Sequence, residues 1–428
     1  MKYWNIIFFA FLQTFLVAEP KSNLLEEENI LEDRLSVWNL EDIEAYATSN
    51  NPLYLSERQN ISISRGDIIT AALYYNPTLN VQQQFIGAGP ASATGVAETS
   101  GIYFQPFDVS GVIPQRTKVA KQEFAASIAR FEDFDRLFRL RLRQAYWSYL
   151  YVAELMTFQK EFLENYQDLL ELTKYRADKG DISPLEFDRL ELEKVQIERE
   201  YKNSRILRFQ VIKNLRILLG VPESTNAIKM NGKLEFKSTE EIGINLKKYN
   251  IENRPDLRAL IAQVQKDRFN IELKKRERVP VVSLGGEYLN KGSENVAGVY
   301  VSMPIPVFDR KQGEILKAEE TAKRSQFQVE AKKLEIETEI ITIIRELRAR
   351  EAQLLQYTKE KLLDKNRKVQ EKARYAYIKG AVPLVTFLEA ERNYLSVLKS
   401  YYELIYFYFI SIEQFKAAVG EISDLEGK

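Results

Sequence analysis

The sequence predicts a mainly helical chain built from two tandem copies of one unit: two short strands followed by a long helical hairpin. Three observations predict it. YRADKGDISPLEF at 175–187 returns as YAYIKGAVPLVTF at 375–387, and the register continues through Glu191/Glu391, Tyr201/Tyr401, Phe209/Phe409, Ile212/Ile412 and Gly220/Gly420. An apolar stripe advancing by threes and fours runs over 131–177, within a helix spanning about 115–178, and period-two alternation precedes each long helix. Repetition at a fixed offset decides the architecture before any single element does.

The first 18 residues, MKYWNIIFFAFLQTFLVA, carry one lysine and then a short, interrupted apolar run, which reads as a secretory signal. Residues 19–37 are acidic and aperiodic and read as a loose segment. Helices over about 53–75 and 255–278 end before Pro77 and Pro280, as they must where proline cannot continue them. Here Asn50/Asn253, Pro52/Pro255, Arg65/Arg268, Ile68/Ile271 and Pro77/Pro280 match at an offset of 203. The three-residue difference from the later offset falls in GAGPASATGVAETSG (87–101) against KGSENVAG (291–298), both read as mobile loops. Around them Leu79, Val81 and Phe85 alternate with Asn80, Gln82 and Gln84. Likewise Val299, Val301, Met303 and Ile305 alternate with Tyr300, Ser302, Pro304 and Pro306, so each strand has one apolar face.

The long helices follow, about 115–178 and 313–378. One stripe in the first carries Phe131, Phe138, Leu142, Tyr149, Val152, Tyr166 and Leu170; beside it run Trp147, Tyr151, Leu155, Phe158, Phe162 and Leu169. A single seam would suit a two-stranded coiled coil, whereas two seams demand packed neighbours on both sides. At 1.5 Å per residue such a helix is on the order of 95 Å long, too long for a compact domain. Gly180 and Gly380 then supply left-handed caps, and returning helices run to Gly220 and Gly420. Residues 221–250 form a connector with a strand or two around KLEFK (233–237).

Composition narrows function. The 61 basic and 61 acidic residues cancel, giving no net field for nucleic acid. With no Cys and no His there is no disulfide framework, no thiolate metal site and no ordinary neutral-pH general base. No enzyme activity, catalytic residue, cofactor or metal site is expected. After the first 18 residues the longest apolar run, LIYFYFISI at 404–412, is bracketed by Glu403 and Glu413, which excludes a helical membrane protein.

The doubled grammar resembles the TolC-like outer membrane efflux protein family over about 38–420. The wording LEDIEAYATSNNP (40–52), NIENRPDL (250–257) and IKGAVPLVTFLEAERNYLSV (378–397) supports it, and SMPIPVFDRKQGEI (302–315) looks most like the CzcC-like heavy-metal branch that serves RND pumps. The resemblance implies a homotrimer in which each protomer gives four strands (about 79–88, 100–109, 281–290 and 298–306) to a twelve-stranded outer membrane β-barrel, the long helices continuing into the periplasm as an α-barrel. Strands of roughly 9–11 residues suffice for a tilted span, and a barrel in lipid must close. Two efflux repeats, 38–220 and 251–420, would flank the connector, leaving a tail at 421–428. The implied function is a passive conduit for substrates, heavy-metal cations among them, from an inner-membrane RND-type pump through a periplasmic adaptor.

In that reading the tip turns Tyr175, Lys179, Gly180, Tyr375, Lys379 and Gly380 would meet the adaptor. Glu186, Arg189, Thr386 and Glu389 would lie at the periplasmic constriction. The residues themselves also allow a plainer account: capping for the glycines, packing for Tyr175 and Tyr375, and a Glu389–Arg392 ion pair on a solvated helix face. Two rival classes are a periplasmic adaptor and a coiled-coil scaffold. The first would have one hairpin between β-rich segments, and the second leaves the signal and the strands unexplained.

Overall fold

A computed structural model describes residues 36–86, 96–222, 228–247 and 249–421. The signal segment 1–18, the loose segment up to residue 35, loop residues 87–95 and the tail 422–428 lie outside the described residues. The strands are β1 (Ser36–Trp38), β2 (Thr78–Ile86), β3 (Val96–Phe107), β4 (Ile228–Met230), β5 (Val282–Lys291) and β6 (Glu294–Ser302). The α-helices are α1 (Leu40–Asn50), α2 (Pro52–Ala72), α3 (Val112–Asp178), α4 (Pro184–Leu219), α5 (Pro255–Arg276), α6 (Gln312–Lys359), α7 (Leu362–Ile378) and α8 (Leu384–Val419).

The mainly helical duplicated fold is as expected, with four differences of detail. The second long helix is not continuous: α6 stops at Lys359, and Lys361 takes a left-handed φ of 50° before α7 begins. KLEFK is not a strand. Leu234 and Phe236 pack beside Leu347, Leu354 and Tyr408, while the strand of the connector is Ile228–Met230, paired in parallel with β1. That pairing also places a strand at Ser36–Trp38, which reaches into the segment read as loose. The stretch 291–298 is hairpin rather than mobile loop, with Asn290 opposite Asn295 and Gly292 at φ 61° in the turn. The fourth strand is therefore 294–302, not 298–306, and on the first side β3 already begins at Val96.

The α3 helix is 67 residues long, about 100 Å at 1.5 Å per residue. Its two seams bury as the stripes require. Phe138, Leu142, Tyr149 and Val152 join the core shared with α1, α2 and α4. On the other side Trp147 stacks on Phe409 of α8 at 4.0 Å, Tyr151 on Tyr406 at 4.9 Å and Phe158 on Tyr402 at 5.9 Å. Laterally the order is α4, α3, α8, then α6 and α7, with α2 lying on α3, and α5 bridging α3 and α6.

Two long-range latches hold the upper ends. Asn51 caps α2 and donates through Nδ2 to the carbonyls of Ile217 and Leu218, 2.9 and 2.8 Å away. At the equivalent place Arg254 donates to the Ala418 carbonyl at 3.0 Å while paired with Asp256 at 2.7 Å. Although burial opposes it, the charge and hydrogen bonds of Arg254 bring the Asp256 carboxyl down to about 2. Between these levels a buried network joins four helices: Tyr54 donates to Asp135 at 2.8 Å, Arg139 pairs with Glu44 at 3.0 Å and Arg143 with Glu413 at 3.2 Å.

Candidate functional site

Two regions combine exposure with a built geometry: the tips of the helical hairpins and the lateral edges of the sheet and helix layer. At the tips, Gly180 and Gly380 stand at φ 81° and 75°, a conformation that favours glycine. Each closes a C-terminal motif in which the next residue donates back five positions, Asp181 to Arg176 at 3.0 Å and Ala381 to Ala376 at 2.8 Å. Ser183 then caps α4 through its hydroxyl, with Pro184 opening the helix. Beneath the turns Tyr166, Leu170, Leu190, Tyr377, Leu384 and Phe387 form one small core, Tyr377 stacking on Phe387 at 5.4 Å.

The tyrosines of the turns are not packing groups. Tyr175 is 62 % exposed and Tyr375 65 %, and the ammonium of its own lysine lies over each ring, Lys179 at 5.6 Å and Lys379 at 5.7 Å. Tip glycines, lysines and tyrosines thus present two matching polar–aromatic knobs. Of the constriction candidates, Glu186 is half-buried while Arg189, Thr386 and Glu389 are exposed. Arg392 does not pair with Glu389. It reaches across to Glu193 of α4 and joins the two hairpins.

Further links were not foreseen. Arg374 donates to Asn165 at 2.9 Å and Arg176 to the Ile378 carbonyl. They join residues about 200 apart, so only the lateral order of helices, not local spacing, could have found them. Among the described residues no cluster of His, Cys, Asp or Glu suits a metal ion, and no helix is long and apolar enough to cross a membrane.

One buried acid stands out near the tip. Glu391 is 3 % exposed; Gln370 Nε2 donates to its Oε1 at 2.6 Å, while Oε2 has no partner. Desolvation pushes its carboxyl above the ordinary range, opposed by Gln370 and Arg374. Its repeat equivalent Glu191 is exposed. Because the folded value lies above the unfolded one, the stability contributed by the neutral acid is present below the unfolded pKa and lost as pH rises through the folded pKa. Melting of wild type against Glu391→Gln between about pH 4 and pH 8 tests this. The variant is expected to gain relative stability with rising pH, by at most roughly 1.4 kcal/mol per pH unit, and a constant difference would remove the assignment.

The edges are the second region. The sheet is antiparallel in the order β2-β3-β5-β6, leaving β2 and β6 unpaired on their outer sides among the described residues. Registers place Leu79, Val81, Tyr103, Leu284, Tyr288, Val299 and Val301 on one face, all exposed. Asn80, Gln82, Ser100, Glu287 and Ser302 occupy the other. The sheet thus has an uncovered apolar face and two open edges, and a helical layer about 100 Å long lies below it.

Residues 249–421, which hold the second copy of the unit, match the family model of the outer membrane efflux protein. No curated protein matches the chain. Among solved structures the fold is similar to the outer-membrane channel OprN (TM-score 0.76, 16 % identity, 89 % of this chain and 90 % of that one). It is also similar to CusC, studied for the changes that accompany transmembrane channel formation (0.74, 16 %, 89 % and 91 %), and to the CmeC outer membrane channel of Campylobacter jejuni (0.71, 17 %, 90 % and 87 %).

Proposed function

We propose that the chain is the outer membrane component of a tripartite efflux system, a passive conduit that works as a homotrimer with a periplasmic adaptor and an inner-membrane RND-type pump. One observation carries the reading: sheet and helices leave the same joint unmade. Within the chain, β3 of the first unit pairs with β5 of the second, and α3 packs on α5 and α8. The equivalent joint from the second unit back to a first unit would pair β6 with β2, and α6 with α2 and α4, of another copy. Among the described residues nothing covers those surfaces. Arg258, Lys266 and Arg276 of α5 reach Glu132, Glu123 and the Ser110 carbonyl, whereas their equivalents Leu55, Ile63 and Leu73 are exposed apolar side chains. A heterologous contact of this kind generates a closed ring when the rotation closes. Three copies give the twelve strands implied by the resemblance, and the strand lengths of 9, 12, 10 and 9 residues suit a tilted span.

The apolar face of the sheet then meets lipid and the polar face the lumen, with the helices forming a periplasmic tube. In this proposal 38–220 and 251–420 are the two efflux repeats and 221–250 the connector. Tyr175, Lys179, Gly180, Tyr375, Lys379 and Gly380 receive the adaptor, and Glu186, Arg189, Thr386 and Glu389 line the mouth. The CzcC-like run 302–315 makes divalent metal cations the cargo to test first, by comparing a deletion strain's sensitivity to zinc, cobalt and nickel with its sensitivity to detergents and dyes.

Gly380→Val tests the tip. A Cβ on this glycine meets no atom within 4 Å, but a β-branched residue in a left-handed conformation costs about 1–2 kcal/mol. Export is expected to fail with trimer assembly intact. Wild-type export from this variant would remove the tips from the mechanism.

A further inference from the structure

Strand pairing inside the chain obeys the duplication residue by residue. In the first unit Asn80 of β2 stands opposite Ile102 of β3. Shifting these two by the repeat offsets of 203 and 200 gives Ser283 opposite Ser302, which is the pairing observed between β5 and β6. The central joint sets Phe107 of β3 opposite Val282 of β5, Gln105 opposite Leu284 and Tyr103 opposite Gly286. The same shifts carried to the outer edges set Val307 opposite Leu79, Ile305 opposite Val81 and Met303 opposite Gln83 of another copy.

Residues 105–107 supply an internal precedent. They lie beyond the ladder with β2, which ends where Thr78 faces Phe104, and they are strand because β5 pairs them from the other side. Their equivalents 305–307 lie beyond the ladder with β5, which ends where Ser283 faces Ser302. Among the described residues no strand pairs with them on either side, the backbone is irregular, and Val307 N–H donates locally to the Ile305 carbonyl at 2.9 Å. Met303, Ile305 and Val307 are exposed, as are Leu79 and Val81. Pro304 and Pro306 alternate with them, so in an extended chain the missing N–H groups fall on one edge and leave the other able to pair. Pro106, the equivalent of Pro306, stands within β3 opposite Ser283, so a proline here is compatible with a strand.

We propose that residues 303–307 form a strand completed only on assembly. They extend β6 by pairing antiparallel with β2 of the next copy, Val307 opposite Leu79, Ile305 opposite Val81, Met303 opposite Gln83 and Ser302 opposite Gln84. This rests on the ring of copies argued above and adds which residues meet and which segment folds at the contact. A one-residue slip would turn Asn80 and Gln82 to the apolar face. A two-residue slip keeps the faces and is separated by experiment.

The chain has no cysteine, so introduced pairs report the register directly. Residues directly opposite have Cβ atoms about 4.5–5.5 Å apart, whereas diagonal ones are about 7–8 Å apart, too far for a disulfide. Two full-length double variants, Leu79→Cys with Val307→Cys and Gln84→Cys with Ser302→Cys, sample the two alternating kinds of antiparallel pair. On mild oxidation in isolated membranes, at least one is expected to link copies at least about tenfold faster than two displaced controls. The controls are Val81→Cys with Val307→Cys and Gln82→Cys with Ser302→Cys, one for each direction of slip. Faster linking of a control, or no linking in a protein that light scattering shows to be trimeric, overturns the register. A monomer by light scattering overturns the ring itself. Amide exchange gives a second measurement without cysteines: the Met303, Ile305 and Val307 amides are expected to exchange at least about tenfold more slowly in the wild-type oligomer than in a protomer dissociated by Phe209→Glu. Equal exchange overturns the proposal.

Discussion

Gly220→Ala is expected to destabilise the protein by roughly 2–5 kcal/mol, whereas the same change at the equivalent Gly420 costs only about 1–2 kcal/mol. Both glycines end their helices in the left-handed region, at φ 71° and 82°, so both pay the backbone penalty of an L residue there. They differ in what surrounds them. A Cβ on Gly220 would stand 2.9 Å from Asn51 Cα and 2.9 Å from Pro52 Cδ, whereas on Gly420 the nearest atoms are 3.9 Å away. The obstruction at Gly220 is backbone and a proline ring, neither of which can turn aside. Retreat of α2 would stretch the Asn51 bonds to the Ile217 and Leu218 carbonyls and strip the end of α4 of its partners. Denaturant midpoints of the two single variants measure the difference directly, and equal losses would show that the close approach of α2 to Gly220 is wrong.

How much of this was legible in the sequence depends on what each signal reports. Glycine at a helix end reports backbone conformation, so Gly180, Gly220, Gly380 and Gly420 marked their turns correctly. The interruption at Lys361 carries no such mark: a lysine occupies the left-handed conformation, and nothing in QYTKEKLLDK breaks helical periodicity. Alternation reports burial rather than hydrogen bonding. KLEFK alternates because Leu234 and Phe236 enter the core beside Leu347 and Tyr408, yet it has no strand partner. Tyr175 and Tyr375 looked like packing groups because aromatics usually are. Their lysines, one helical turn onward, cover one face of each ring and leave the rest in solvent. The Glu193–Arg392 link depends on α4 and α8 flanking α3, an arrangement that no local pattern encodes.

Phe209→Glu is expected to abolish assembly without unfolding the protomer, the largest functional effect of any single change considered. The repeat supplies the internal standard. On α8, Phe409 and Tyr406 stack on Trp147 and Tyr151 of α3, and Phe409 is buried. Their equivalents on α4, Phe209 and Ile206, are 57 % and 56 % exposed because, among the described residues, no further long helix packs on that side. If a second copy's α6 covers them, each interface gains about 1.5–3 kcal/mol from burying the phenylalanine. A glutamate placed there loses that and adds an unpaired, desolvated charge. Together these weaken each contact by at least about 100-fold, since roughly 1.4 kcal/mol corresponds to a factor of ten. A closed ring multiplies the loss over its interfaces. Phe409→Glu offers the contrast, because its surroundings lie within one chain and the protomer itself should melt at lower temperature. Light scattering of the detergent-solubilised proteins, with single-channel conductance in planar bilayers, separates the two outcomes. A full-size, conducting oligomer from Phe209→Glu would mean that the bare face of α4 is not where copies meet, and the ring would have to close elsewhere.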